Sequence, residues 1–391
     1  MKVLIYILLT ISLSFHLAYL NAAEIIVKYY TLPILLGKND NPAVRIGLYA
    51  NQSDIGKTLN SLKISLKESS DLNDIRTVSL YTSKADSSIN PTLEKWQPIS
   101  KVDLDKAEIE LPLNLKIEQE GPQYFWLTLG VNEHADLLDK INLKIIALKI
   151  ENKNVLGTSV EGHEYRLAFP VRTHMQDQVH TSRIPGLATS KDGTLLAIYD
   201  ARYQSARDLQ GHMDIAVQRS FDKGQTWQPM QIALNMTWGD LPEKFNGVSD
   251  ACILVDQNSG AIYVAGLWSH GVINDQGKWV EGLSDTSTVW NHQWKTRGSQ
   301  PGFDVKETSQ FLITKSTDDG KTWSEPINIT KQGKKQEWWL WAPAPGQGIT
   351  MKDGTLVFPT QGRDENGEPF SNITYSKDGG QSWHSSEPAV L

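Results

Sequence analysis

The chain has 391 residues, 39% hydrophobic and 21% charged, with a formal net charge of −7. That balance supports a packed core and excludes gross disorder. It also argues against a nucleic-acid binder, which needs a basic face to displace counterions. Any bound anion must be held by a few placed arginines.

Residues 1–23 are expected to be an export signal, which implies a periplasmic or secreted protein. Lys2 supplies the positive end, Val3 to Leu20 is mostly apolar, and Asn21-Ala22-Ala23 offers small residues for cleavage. A retained N-terminal membrane anchor is the alternative, since the apolar run is nearly long enough to span. After cleavage no stable membrane insertion is expected. Cys252 is the only cysteine, so no intramolecular disulfide is available and stability must come from the core.

Residues 24–165 read as short strands with period-two alternation, at 24–36, 43–50, 77–83, 123–131 and 141–150. Ser53 to Leu66 is expected to be partly helical. The pattern predicts a β-sandwich acting as an accessory or carbohydrate-binding module. Glu161 to Asp177 is read as the linker, and the second domain is placed at 166–391.

From Thr181 the chain repeats itself. SKDGTLLAIYD (190–200) precedes RSFDKGQTW (219–227); DQNSGAIYVAG (256–266) precedes KSTDDGKTW (315–323); MKDGTLVFPT (351–360) precedes YSKDGGQSW (375–383). Each unit predicts a four-stranded antiparallel blade whose third and fourth strands share a fixed turn, Ser-x-Asp-x-Gly-x-Thr/Ser-Trp. The Asp accepts N–H groups of its own turn, Gly permits a positive φ, and Trp packs between strands. A calcium loop is ruled out because each turn lacks the further oxygen ligands calcium needs. The histidines show no metal spacing and no phosphate loop is evident, so neither metal nor cofactor is expected.

These turns resemble the Asp-box repeats of sialidases, and the first follows an Arg-Ile-Pro motif (183–185) at the family's spacing. Residues 181–391 look like the first part of the catalytic propeller of bacterial exo-α-sialidases of the Bacteroidetes type. The resemblance implies hydrolysis of terminal sialic acids on glycoproteins, glycolipids or oligosaccharides. Sialic acid carries a carboxylate on its anomeric carbon, and gripping one in water is the work of arginine. The matching arginines are Arg183, for the carboxylate, and Arg202, for nearby hydroxyls; a purely structural ion pair to Asp200 or Asp214 is the alternative. Asp208, six residues after Arg202, matches the acid/base aspartate that protonates the leaving oxygen and then activates water. That role asks for an apolar or anionic neighbourhood. Asp214 competes for it but begins a strand. Asp250 matches a family segment facing the pocket, and Thr308 and Gln310 resemble polar residues near the glycerol tail. Trp338, Trp339 and Trp341 are read as blade packing before a sugar platform, and the insert 271–304 as a lid or a solvated excursion.

The family closes six blades, whereas three are visible here. Its glutamate, two further arginines and nucleophilic tyrosine lie in later blades. Arg297, Arg363 and Tyr375 do not sit in the family's contexts. The chain is therefore expected to be an incomplete reading frame. A sialic-acid-binding propeller without catalysis, a structural propeller and a trans-sialidase are the competing functions.

Overall fold

The computed structural model describes residues 23–389, apart from 90–92, 94, 157–160, 210, 237–244, 277, 279, 284–286 and 293–298. The expected export signal, Ala23 excepted, and Arg297 lie outside the described residues. Among the described residues no helix is long and apolar enough to cross a membrane. The chain divides into two units, Met1–Pro170 and Val171–Leu391.

The first unit is built on two sheets. One runs in the order Glu24–Tyr29, Asn41–Ala50, Gly121–Val131, Ile75–Lys84, Gln97–Asp103. The other runs Ile34–Leu35, His163–Ala168, Lys140–Ile150, Thr58–Ser65, Glu108–Lys116, with Lys153–Asn154 folded back on Lys140–Ile150. Their apolar residues, among them Ile46, Leu62, Leu80, Leu127 and Leu143, form one core. The helical expectation at 53–66 is corrected. Only Gln52–Asp54 turns, as a short 3-10 element capped by Asn51, and Thr58–Ser65 lies between two other strands. Leu59, Leu62 and Leu66 have helical spacing, but Leu62, Ile64 and Leu66 have strand spacing and all three are fully buried. A register shift between Leu59 and Ser61 brings Leu59 into the same core. Part of the expected linker is also strand: His163–Ala168 pairs with Lys140–Ile150 and Ile34–Leu35, and buries Tyr165 and Leu167.

The second unit consists of three four-stranded blades, so the chain is all-β, a sandwich followed by a partial propeller. Blade one is Thr181–Thr189, Leu195–Arg202, Met213–Ser220 and Gln231–Leu234. Blade two is Phe245–Val255, Ile262–Gly271, Gln310–Ser316 and Ile327–Asn328. Blade three is Leu340–Pro343 continued by Ile349–Thr350, then Leu356–Arg363, Pro369–Ser376 and His384–Ser385. Period-two alternation lets the middle blade serve two cores. Ile262, Val264 and Trp268 pack against Leu196, Ile198 and Val217 of blade one. Tyr263 and Ala265 pack against Trp341, Phe358 and Trp383 of blade three. At Gly186 a Cβ would stand 2.6 Å from the Gly346 carbonyl oxygen, so the first strand of blade one and the Gly346–Gln347 strand approach too closely for any other residue.

The repeated turns form as their residues dictate. In blade one the Ser220 hydroxyl donates to Asp222 (2.8 Å) and accepts the Gly224 N–H (2.8 Å), while Asp222 accepts the Thr226 N–H (2.9 Å) and hydroxyl (2.5 Å). The same contacts recur around Asp318 and Asp378. Hydrogen bonds from Thr226 and Thr322 hold the Asp222 and Asp318 carboxyls down at about 2. The glycines have φ of 92°, 75° and 81° at Gly224, Gly320 and Gly380. The tryptophans are not equivalent: Trp383 is buried, and Trp227 and Trp323 are half-buried.

Candidate functional site

The site begins with two irregular strands. In blade one the register shifts between Arg183 and Gly186, and Ile184 takes φ 56°. In blade two it shifts between Ser249 and Cys252, and Asp250 takes φ 61°. The first strands of both blades therefore bulge at matching positions. A β-branched residue at positive φ is strained, and such strain gathers where a side chain must be aimed.

Arg183 stands directly opposite Asp200, and Arg202 follows two residues later on the same strand. Opposed residues, and residues two apart, project from one face, so Arg183, Asp200 and Arg202 share a face of blade one. Arg183 is exposed and has no hydrogen-bond or ion-pair partner among the described residues. Arg202 is buried, and its Nη2 contacts Asp200 Oδ2 at 3.1 Å and Asp208 Oδ1 at 3.0 Å. Its Nη1 donates to the Ala206 carbonyl at 3.1 Å, which ties the Asp208 loop to the strand. The Asp208 side chain is 60% exposed. Burial pushes Asp250 up to about 7, with the nearby Asp208 charge adding and Arg202 opposing. Burial likewise pushes Asp200 up to about 7, with Asp250 adding and Arg202 opposing. Asp214 is buried on its strand, where it accepts the Tyr203 hydroxyl at 3.0 Å and lies 3.2 Å from His212 Nε2.

Asp208 and Asp250 stand at a cleft of about 350 Å³. Its other walls include Leu267, Leu340, Pro369, Phe370 and Arg363, with Ser249, Ser269, Ser299, Ser309 and His292. The serines bond one another: Ser269 Oγ donates to Ser309 Oγ at 2.8 Å, and Ser299 Oγ lies 3.2 Å from Ser309 Oγ. His292 Nδ1 accepts the His270 N–H at 3.0 Å and its Nε2–H donates to the Val305 carbonyl. Burial drives His292 down to about 3, which keeps the imidazole neutral.

Thr308 and Gln310 are corrected. Thr308 is fully buried and its hydroxyl donates to the Trp339 carbonyl at 2.9 Å. Gln310 donates to the Thr308 carbonyl at 2.6 Å and accepts from Asn328 at 2.8 Å. Their polar groups are spent inside the blade, and neither lines the cleft. Trp338 and Trp341 are core residues, and half-buried Trp339 donates to the Glu365 carbonyl at 3.2 Å. Of the described residues of the insert, 290–292 and 299 are buried, whereas 274–276 and 281–282 are exposed. The sequence reading named Asp200 only as a structural ion-pair partner of the arginines, a pair Arg202 does make; it missed His292 and the serines and left Arg363 unassigned. Only Asp200 carried a signal: it lies two residues before Arg202 on an alternating strand.

Asp-box blades with two carboxyls and Arg363 lining a polar cleft define a protein of the Asp-box propeller class. Residues 184–389 match the BNR repeat-like domain, and residues 22–154 match the N-terminal domain of BNR-repeat neuraminidase. A sialidase of Bacteroides fragilis is 36% identical over 386 residues, 93% of this chain and 67% of that protein. A sialidase of Paraclostridium sordellii is 31% identical over 51% of this chain and 45% of its own length. The structure of the Hadza microbial sialidase Hz136 superposes with a TM-score of 0.76 at 33% identity, over 93% of this chain and 71% of that one. The chain belongs to the BNR-repeat sialidase family.

Proposed function

We propose that the protein is an exo-α-sialidase that removes terminal sialic acid from glycoproteins, glycolipids or oligosaccharides with retention at the anomeric carbon. Arg183 and Arg202 take the sugar carboxylate and adjacent hydroxyls. Asp208 protonates the leaving oxygen and then activates water, beside Asp250. The observation that carries this reading is the 3.0 Å contact between Arg202 and Asp208, a residue that lines the cleft. An exposed, unpaired Arg183 on the same face supports it. The test is hydrolysis of a fluorogenic sialoside, with the anomer first released identified by NMR. Turnover that survives Asp208→Ala unchanged refutes the assignment.

A second reading is sialic-acid binding without turnover. It is favoured by the absence of a tyrosine among the described residues lining the cleft. Calorimetry with free sialic acid separates the two: binding without hydrolysis selects the second. Residues 1–23 support a periplasmic or secreted setting, tested by N-terminal sequencing of the mature protein.

A further inference from the structure

We propose that Asp200 is a positioning residue, which joins Arg202 and the Asp208 loop of blade one to the Asp250 bulge of blade two. The proposal rests on the sialidase reading and adds to it a residue with no direct substrate contact.

Leu196, Ile198, Asp200 and Arg202 alternate along one strand and so share a face. Leu196 and Ile198 use that face to pack blade one onto blade two. At Asp200 the apolar pattern breaks, although the position is fully buried. A buried carboxylate costs free energy unless it is paired and hydrogen-bonded, and such breaks in a core pattern collect at functional sites. Here both oxygens are engaged. One lies 3.1 Å from Arg202 Nη2, and the other accepts the Ala251 N–H at 3.4 Å. The blade-two bulge takes Asp250 and Ala251 out of register with the neighbouring strand. Asp200 receives the N–H next to the residue that bulge presents to the cleft. A single side chain thus fixes the Arg202 guanidinium and the backbone that carries Asp250.

Arg202 Nη2 is shared between Asp200 and Asp208, while its buried Nε has no partner. Without Asp200 the guanidinium has one carboxylate left, Asp208, and is drawn away from the sugar. The charged groups facing Asp200 are Arg202 on its own strand, Arg183 on the first strand, Asp208 in the loop and Asp250 from blade two. On the third strand the residue opposite is Ile215.

The test uses the full 391-residue chain with a sialyllactose, whose leaving group needs the general acid. Asp200→Asn keeps an oxygen for Ala251 and removes the charge. A misplaced substrate contact is expected to lower kcat/KM on the order of 10–100-fold. Removing one anion favours ionisation of the remaining carboxyls, so the alkaline limb of the kcat profile moves to lower pH. A merely structural residue would lower the melting temperature and leave that limb in place. In an Arg202→Met background, Asp200→Asn is expected to add less than about 2-fold, because both changes remove one pair. That double variant removes both charges of the Arg202–Asp200 pair together, so it serves if the single variant does not fold. An Asp200→Asn enzyme with wild-type kcat/KM and an unmoved limb overturns the proposal, as does a further tenfold loss in the double variant. A wild-type chain without turnover would instead refute the sialidase reading, and this inference with it.

Discussion

Three tryptophans end the same turn motif, yet they should not be worth the same. Trp383 is 2% exposed, with its ring 5.4 Å from Phe358 and 5.8 Å from Tyr263. Trp323 is half-buried against the core shared by blades one and two. Trp227 is half-buried outside every apolar cluster, held by one bond from its Nε1–H to the Gly224 carbonyl at 3.1 Å. Truncating a buried Trp to Ala costs about 3–5 kcal/mol, since a cavity remains where the ring stood. Losing a half-exposed ring and one hydrogen bond costs about 1–2 kcal/mol. For a unit of this size each kcal/mol shifts the melting temperature by roughly 2–4 °C. Trp383→Ala should therefore melt about 10 °C lower and Trp227→Ala about 3 °C lower, with Trp323→Ala between them. Calorimetry with matched urea titrations gives the order. Equal losses at the three sites, or Trp227→Ala as the most damaging, would refute the view that burial rather than motif membership sets the energy.

Asp208→Asn should cut hydrolysis of a sialyllactose by roughly 10²–10⁴-fold. An aryl sialoside, whose leaving group needs little protonation, should lose far less; equal losses count against the acid role. Gly186→Ala forces a methyl against the Gly346 carbonyl and should cost about 1–3 kcal/mol by chemical denaturation, and a neutral result would contradict that close approach. His292 has its folded value depressed to about 3, so the folded state binds fewer protons than the unfolded chain between roughly pH 6.5 and 3. Its contribution is complete above that window and declines as pH falls through it, by up to about 1.4 kcal/mol per pH unit. The destabilisation caused by His292→Asn should accordingly be greatest at pH 7 and shrink toward pH 4, as read from urea midpoints.

The blades were legible because their signature is local. A turn whose Asp, Gly and Thr or Ser bond one another within seven residues writes its structure into consecutive letters, as Ser220 to Thr226 does. The sandwich was partly legible. Gly121–Val131 alternates clearly, whereas Thr58–Ser65 fits two periods and only its neighbours decide between them. At the site, the family resemblance drew Arg202 and Asp208 together, and the short loop between them lets their side chains meet. Thr308 and Gln310 could not be placed, since a polar side chain near a strand looks the same in sequence whether it faces a cleft or its own backbone. The cleft's serines and His292 come from several segments that only blade packing assembles, so no spacing records them.

The first strand of blade two pairs in parallel with Gly346–Gln347, through Cys252 with Gly346 and Ile253 with Gln347. A stretch that opens blade three is thereby stitched into the sheet of blade two. Pulled from the C-terminal side, the chain must break these two bridges before blade three separates from blade two. Under tension the release of blade three should therefore require loss of those two bridges together with the core it shares with blade two.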